Sequence, residues 1–199
     1  MEARRRLVRH NPAHNRHRDR IPTPTEVARL RQYFEDEYRG EVPIAEIVDF
    51  ALASAKRIGE ICRISFEDVN WERHTVIIRD RKDPKQKIGN NQLVPLLPAA
   101  MAIVVARRDA TDGRGLIFPY RSGYISHWWH HATRRLEIED LTFHDLRHAA
   151  ITDLFRKGLG IPEVALISWH RSWRELKRYT QLTAGDVLDK FRALETIGG

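Results

Sequence analysis

Cysteine is nearly absent from this chain. The single thiol, Cys62, excludes an internal disulfide framework and a zinc site built from several cysteines. Its neighbours Ile61 and Ile64 predict that it is buried. No apolar run approaches the roughly 20 residues of a membrane-spanning helix. The opening MEARRRLVRH is basic with no apolar stretch behind it, so it does not read as a secretory signal. There is no internal repeat and no aromatic-rich RNA-binding motif. These absences lead to the expectation of a cytoplasmic protein, nucleoid-associated if bacterial, with no membrane partner.

What is present fits one globular domain. A chain of 199 residues can bury a sizeable core but not two full-sized ones. The composition, 42% hydrophobic and 31% charged, is ordinary for such a domain. The net charge of +7 points to a polyanionic partner. Seven arginines against Glu2 and Asp19 in residues 1–20 carry +5 of it, however, so the rest of the chain is only mildly basic.

Residues 1–24, rich in Arg, His and Asn with Pro12, Pro22 and Pro24, read as a basic arm or linker. Thr25 as N-cap and Glu26 in the first turn predict a helix over 25–38, ended by Gly40. Pro43 then opens a second helix, where Ile44, Ile47, Val48, Ala51, Leu52 and Ala55 repeat on one helical face. The period changes after RIGEICRI. Strands are expected near 66–69, 75–79, a β-branched run, and 92–96. Further helices are expected over 98–109, 126–136, 144–157, 162–168, 173–180 and 184–194, with Gly158, Gly160 and Pro162 separating two of them. The fold class that follows is α+β, mostly helical, with one small three-stranded antiparallel sheet.

A set of cationic and titratable residues ends in a tyrosine. Arg57 lies in ALASAKRIGEI, with Glu60 three residues on; His144 and Arg147 lie in TFHDLRHAAITDL; His170 follows 23 residues after Arg147, and Tyr179 nine after that. Arginines can hold non-bridging phosphate oxygens, histidines can move protons, and a tyrosine hydroxyl can attack phosphorus. Taken singly, each has a plainer reading. Arg57 is a helix-end cation paired with Glu60, His144 a helix-start histidine, and Tyr179 a core aromatic on one face with Leu176. His144 and His148 also have the i, i+4 spacing of a helical zinc motif, with Asp145 where such motifs place Glu, but a third ligand is missing. HWWHH at 127–131 can be read as a metal or stacking patch; the preferred expectation is that Trp128 and Trp129 pack a helix and some of the histidines face DNA or solvent.

In order and spacing, this set resembles the catalytic domain of the tyrosine recombinase (phage integrase) family over roughly residues 25–190. That signature is an arginine followed by Glu, a lysine in a β-hairpin, His-x-x-Arg, a late Gly-His, and a tyrosine nine residues on. The resemblance implies a metal-free and cofactor-free DNA strand transferase. Arg57 and Arg147 would clamp the scissile phosphate, Tyr179 would form a 3′-phosphotyrosyl link, and His144 and His170 would complete the site. A hairpin lysine would protonate the leaving 5′-oxygen; Lys82, Lys85 and Lys87 are all available, and Lys82, next to the predicted strand, is preferred. Glu60, Asp145 and His148 are expected to support the site. Arg81, Lys85, Lys87, Arg171 and Arg174 are expected to contact DNA. The implied partner is double-stranded DNA carrying specific recombination sites, bound by a homotetramer whose chains are monomers when free, with helix 184–194 a candidate for exchange between neighbours.

Two departures from the family pattern bear on activity. The family's usual glycine before the late histidine is Trp169 here, and so bulky a side chain is expected to displace His170. Residues 25–199 are read as the catalytic domain alone, with the family's N-terminal DNA-clamping domain absent. The alternative reading is therefore a catalytically impaired DNA-binding relative or an integrase fragment.

Overall fold

The computed structural model describes residues 20–79, 89–170 and 172–176, together with positions 179, 185, 187, 188, 191, 192 and 195. Helix α1 spans Pro24–Asp36. Its N-cap is Thr23, two residues before the expected Thr25: the Thr23 hydroxyl accepts from the Glu26 N–H while the Glu26 carboxylate accepts from the Thr23 N–H. This reciprocal box needs Ser or Thr three residues before Glu, which Thr23 satisfies and Thr25 does not, and Pro24 occupies the first helical position. Helix α2, Ile44–Ser54, buries Ile44, Ile47, Val48 and Ala51 as the periodicity requires, and Phe50 as well. It stops because Ala55 turns left-handed at φ 55°. Helix α3, Ile58–Ile61, follows at once.

The sheet is smaller than expected. Residues Phe66–Asp68 form a 3₁₀ turn, and β1 is only Val69–Asn70. Ser65 accepts from the Glu67 N–H, and this local capping diverts the segment from an extended shape. Strands β2 (Thr75–Ile78) and β3 (Gln92–Pro95) complete an antiparallel β1-β2-β3 order, with Val69 opposite Val76 and Val76 opposite Val94. Val76, Ile78 and Val94 face the core.

The remaining helices are α4 (Pro98–Asp109), α5 (Ser122–Arg135), α6 (Asp145–Arg156), α7 (Ile161–Ser168) and α8 (Trp173–Leu176). Helix α5 begins four residues before its expected start, because Gly123 is accommodated within its first turn. Helix α6 ends in a Schellman motif: Gly158 takes φ 90°, its N–H reaches the Phe155 carbonyl, and the Leu159 N–H reaches that of Leu154. The segment 184–194 falls largely outside the described residues.

Two apolar clusters make up the core. The larger joins α1, α2, the sheet, α4 and α5; in it Trp129 stacks on Phe34 and meets Phe143 edge-on. Trp128 is half-buried beside Tyr38, and His127, His130 and His131 are exposed, as expected for HWWHH. The smaller cluster joins Ala55, Ala150, Ile151, Leu154, Val164, Ile167 and Leu176. Helix α6 spans the seam, giving Leu146 to the first cluster and Ile151 to the second. Arg147 therefore stands between two packed bodies.

Candidate active site

Arg147 is only 2% exposed, and its surroundings are built to hold a charge. Nη1 donates to the Ala55 carbonyl at 2.6 Å and Nη2 to the Ser168 carbonyl at 2.8 Å. Ser168 is the last residue of α7, where helix geometry leaves carbonyls without intrahelical donors and the dipole is negative. Lys56, 1% exposed, donates its Nζ to the neighbouring Ile167 carbonyl. Two cations thus cap one helix end. Together they fasten the segment carrying Arg57 to the segment carrying His170.

His170 is oriented by the same helix end. The Ser168 hydroxyl donates to the Val164 carbonyl at 2.6 Å, so at 2.7 Å it accepts from His170 Nδ1–H. That places the proton on Nδ1 and turns Nε2 toward Arg147 Nη2 at 3.4 Å. The expected displacement of His170 by Trp169 does not occur. Trp169 itself adopts the left-handed conformation, φ 55° and ψ 53°, that glycine would supply, and its indole packs against the larger core cluster. The side chain changes while the backbone turn remains.

Arg57 caps α3. Its backbone N–H and its guanidinium both bond the Glu60 carboxylate, at 3.1 and 3.0 Å. Glu60 is buried, whereas the Arg57 side chain remains 42% exposed, so the pair fixes the guanidinium without enclosing it. Asp145, fully buried, accepts from the Thr142 N–H and hydroxyl at 2.7 and 2.8 Å and anchors the start of α6. His144 is exposed at that start, with its ring edge-on to His148 at 5.0 Å. The His148 ring is buried and stacks on Tyr179, whose hydroxyl is hydrogen bonded to His148 Nδ1.

Two contact groups thus sit on adjacent residues of α6: Arg147 with His170, and His148 with Tyr179 and His144, while Arg57 is joined to Arg147 through the Ala55–Lys56 segment. Arg174 is exposed on α8. Arg81, Lys82, Lys85, Lys87 and Arg171 lie outside the described residues. Among the described residues, no three His, Cys, Asp or Glu side chains converge on a metal position. Sequence reasoning passed over Lys56 and Ser168. The only available signals were a lysine closing an apolar helix face and a serine two residues before His170.

The chain belongs to the phage integrase family, whose model matches residues 22–185. It is 38% identical over 177 residues to the shufflon-specific DNA recombinase of Escherichia coli, covering 88% of this chain and 44% of that protein. It is 29% identical over 145 residues to a putative integrase/recombinase of Haemophilus influenzae, covering 73% and 46%. The chain thus spans less than half the length of these curated relatives. In fold it resembles the crystal structure of XerA recombinase, with a TM-score of 0.61 at 18% identity, covering 94% of this chain and 66% of the other. It also resembles the Tn1549 transposon integrase in complex with a circular intermediate DNA, with a TM-score of 0.68 at 12% identity, covering 90% and 67%. Among the described residues, no helix is long and apolar enough to cross a membrane.

Proposed function

We propose that this chain is the strand-cleaving domain, spanning about residues 25–199, of a site-specific DNA recombinase. Arg57 and Arg147 hold the non-bridging oxygens of the scissile phosphodiester, because guanidinium forks match two oxygens at once. Tyr179 attacks phosphorus and forms a 3′-phosphotyrosyl link. Lys82 protonates the departing 5′-oxygen. His170 and His144 line the phosphate, and Glu60, Asp145 and His148 keep the site in shape. A second DNA hydroxyl then attacks the link and reverses the chemistry. The bond energy is retained in the protein–DNA link, so the exchange requires no nucleotide hydrolysis.

The observation that carries this reading is the position of Tyr179: its hydroxyl lies on α6 against His148, one residue from the buried Arg147 that His170 contacts. Arg81, Lys85, Lys87, Arg171 and Arg174 contact the DNA backbone. The assembly on paired sites is a homotetramer. The protein works where DNA is, in the cytoplasm, and with the nucleoid if its host is bacterial.

The test is a covalent-adduct assay in EDTA, using nicked duplexes from the DNA flanking the gene. Wild type is expected to give an SDS-resistant adduct and Tyr179→Phe none. Binding without an adduct by either protein would instead support a DNA-binding relative that does not cleave.

A further inference from the structure

A tyrosine that attacks phosphorus has to lose a proton. Free phenols ionise near ~10, so at neutral pH little of the nucleophile is ready. Among the described residues, the nitrogen set against the Tyr179 hydroxyl is His148 Nδ1. The two rings stack, with centroids 5.7 Å apart and planes 27° apart. Phe155, two turns further along α6, stacks on Tyr179 as well, at 6.5 Å and 16°. These contacts fix the phenol in direction as well as distance. The other nearby candidates have different engagements: His170 spends Nδ1 on Ser168 and turns Nε2 to Arg147, and the Asp145 carboxylate holds Thr142. His144 meets His148 with its ring edge-on at 5.0 Å.

We propose that His148 is a catalytic residue, the general base of strand cleavage. The proposal rests on the reading above, in which Tyr179 is the nucleophile. In the resting site the His148 proton is on Nε2, and Nδ1 accepts from the phenol. As the bond from the Tyr179 oxygen to phosphorus forms, that oxygen becomes acidic and its proton passes to Nδ1. The bond from phosphorus to the 5′-oxygen breaks, and the 5′-oxygen takes its proton from a separate acid, assigned above to Lys82. His148 is left as an imidazolium beside the phosphotyrosyl group. When a second DNA hydroxyl displaces the tyrosine, that hydroxyl gives its proton to the now-neutral Lys82 amine, and Nδ1 returns its proton to the phenolate. No oxidant, reductant or co-reactant enters.

The experiment is single-turnover adduct formation by the full chain on nicked duplexes from the flanking DNA. It compares wild type with His148→Gln, which can accept a hydrogen bond but not a proton. Each is made with natural tyrosine at position 179 and with 2,3,5-trifluorotyrosine, whose phenol ionises far more readily. With natural tyrosine, His148→Gln is expected to slow the reaction about 10²-fold to 10⁴-fold, the usual span for a positioned base. With trifluorotyrosine most of that loss is expected to disappear, because a more acidic nucleophile needs no base. A merely structural role for His148 would not be repaired by changing the acidity of its neighbour. His148→Asn serves as the second variant should His148→Gln not fold. A wild-type rate in the variant, or an equal loss with both nucleophiles, overturns the proposal. An adduct that survives Tyr179→Phe overturns the functional reading beneath it as well.

Discussion

Arg147 donates to the backbone carbonyl of Ser168 at 2.8 Å, joining the middle of the domain to the last residue of α7. The same guanidinium reaches Ala55 at 2.6 Å, so one side chain ties three segments together. A residue proposed to grip a phosphate is also a structural fastener, and its loss should register in both respects.

Arg147→Lys tests the fastening. Lysine keeps the charge but lacks the planar fork, so it cannot span both carbonyls. At least one buried carbonyl then loses its donor, at a cost of about 1–3 kcal/mol. The urea midpoint is expected to fall accordingly, with adduct formation lost beyond what the unfolded fraction explains. An unchanged midpoint would mean that the two carbonyl bonds contribute little.

Trp169→Gly separates backbone shape from side-chain packing. The left-handed conformation costs a non-glycine residue about 1–2 kcal/mol, which glycine would recover. The half-buried indole packs against the core, and deleting it costs about 3 kcal/mol by analogy with large-to-small substitutions. Packing is the larger effect, so the variant is expected to be less stable by about 1–2 kcal/mol in thermal or urea unfolding, with its adduct-forming rate retained. Trp169→Val should be worse, since a β-branched residue resists positive φ. A stabilised glycine variant would show that the turn is more strained than its packing offsets.

Glu26 predicts an acid limb in the stability profile. Its hydrogen-bonded pairing with Arg20, aided by the Thr23 N–H and hydroxyl, lowers its carboxyl from 4.5 to about 2. A depressed carboxyl stabilises the fold above its ordinary value, and that contribution is lost as pH falls through the folded value. The Glu26→Gln variant should therefore melt below wild type at pH 6. The gap should narrow between pH 4.5 and about 2 and then close. Because the pair is partly solvated, the gap should be only about 1 kcal/mol. A gap that persists unchanged below that window would assign the effect to helix capping geometry rather than to charge.

Much of this fold was legible from side-chain spacing. The face of α2 could be read because Ile44, Ile47, Val48 and Ala51 repeat at helical period and all are buried. Local competition hid other features. The Thr23–Glu26 box was masked by a second threonine two residues on, and β1 was shortened by the Ser65 cap. The order of the residues suggested a candidate site, but not the connections among them. Lys56 and Arg147 donate to the Ile167 and Ser168 carbonyls of a helix end distant from them in sequence, and no local pattern records such a pairing. Trp169 misled for a related reason: its identity argues against a left-handed turn that tertiary packing nevertheless imposes.

The most direct test of the central claim is to find which residue carries the DNA. The chain has five tyrosines, and Tyr33 and Tyr38 are core residues. The SDS-resistant adduct would be digested with nuclease and with a protease that cuts after lysine, then mapped by mass spectrometry. The account predicts a nucleotide on the peptide spanning residues 178–190, attached to Tyr179. A nucleotide on any other peptide, or an adduct labile to conditions that leave a phosphotyrosyl bond intact, would contradict it.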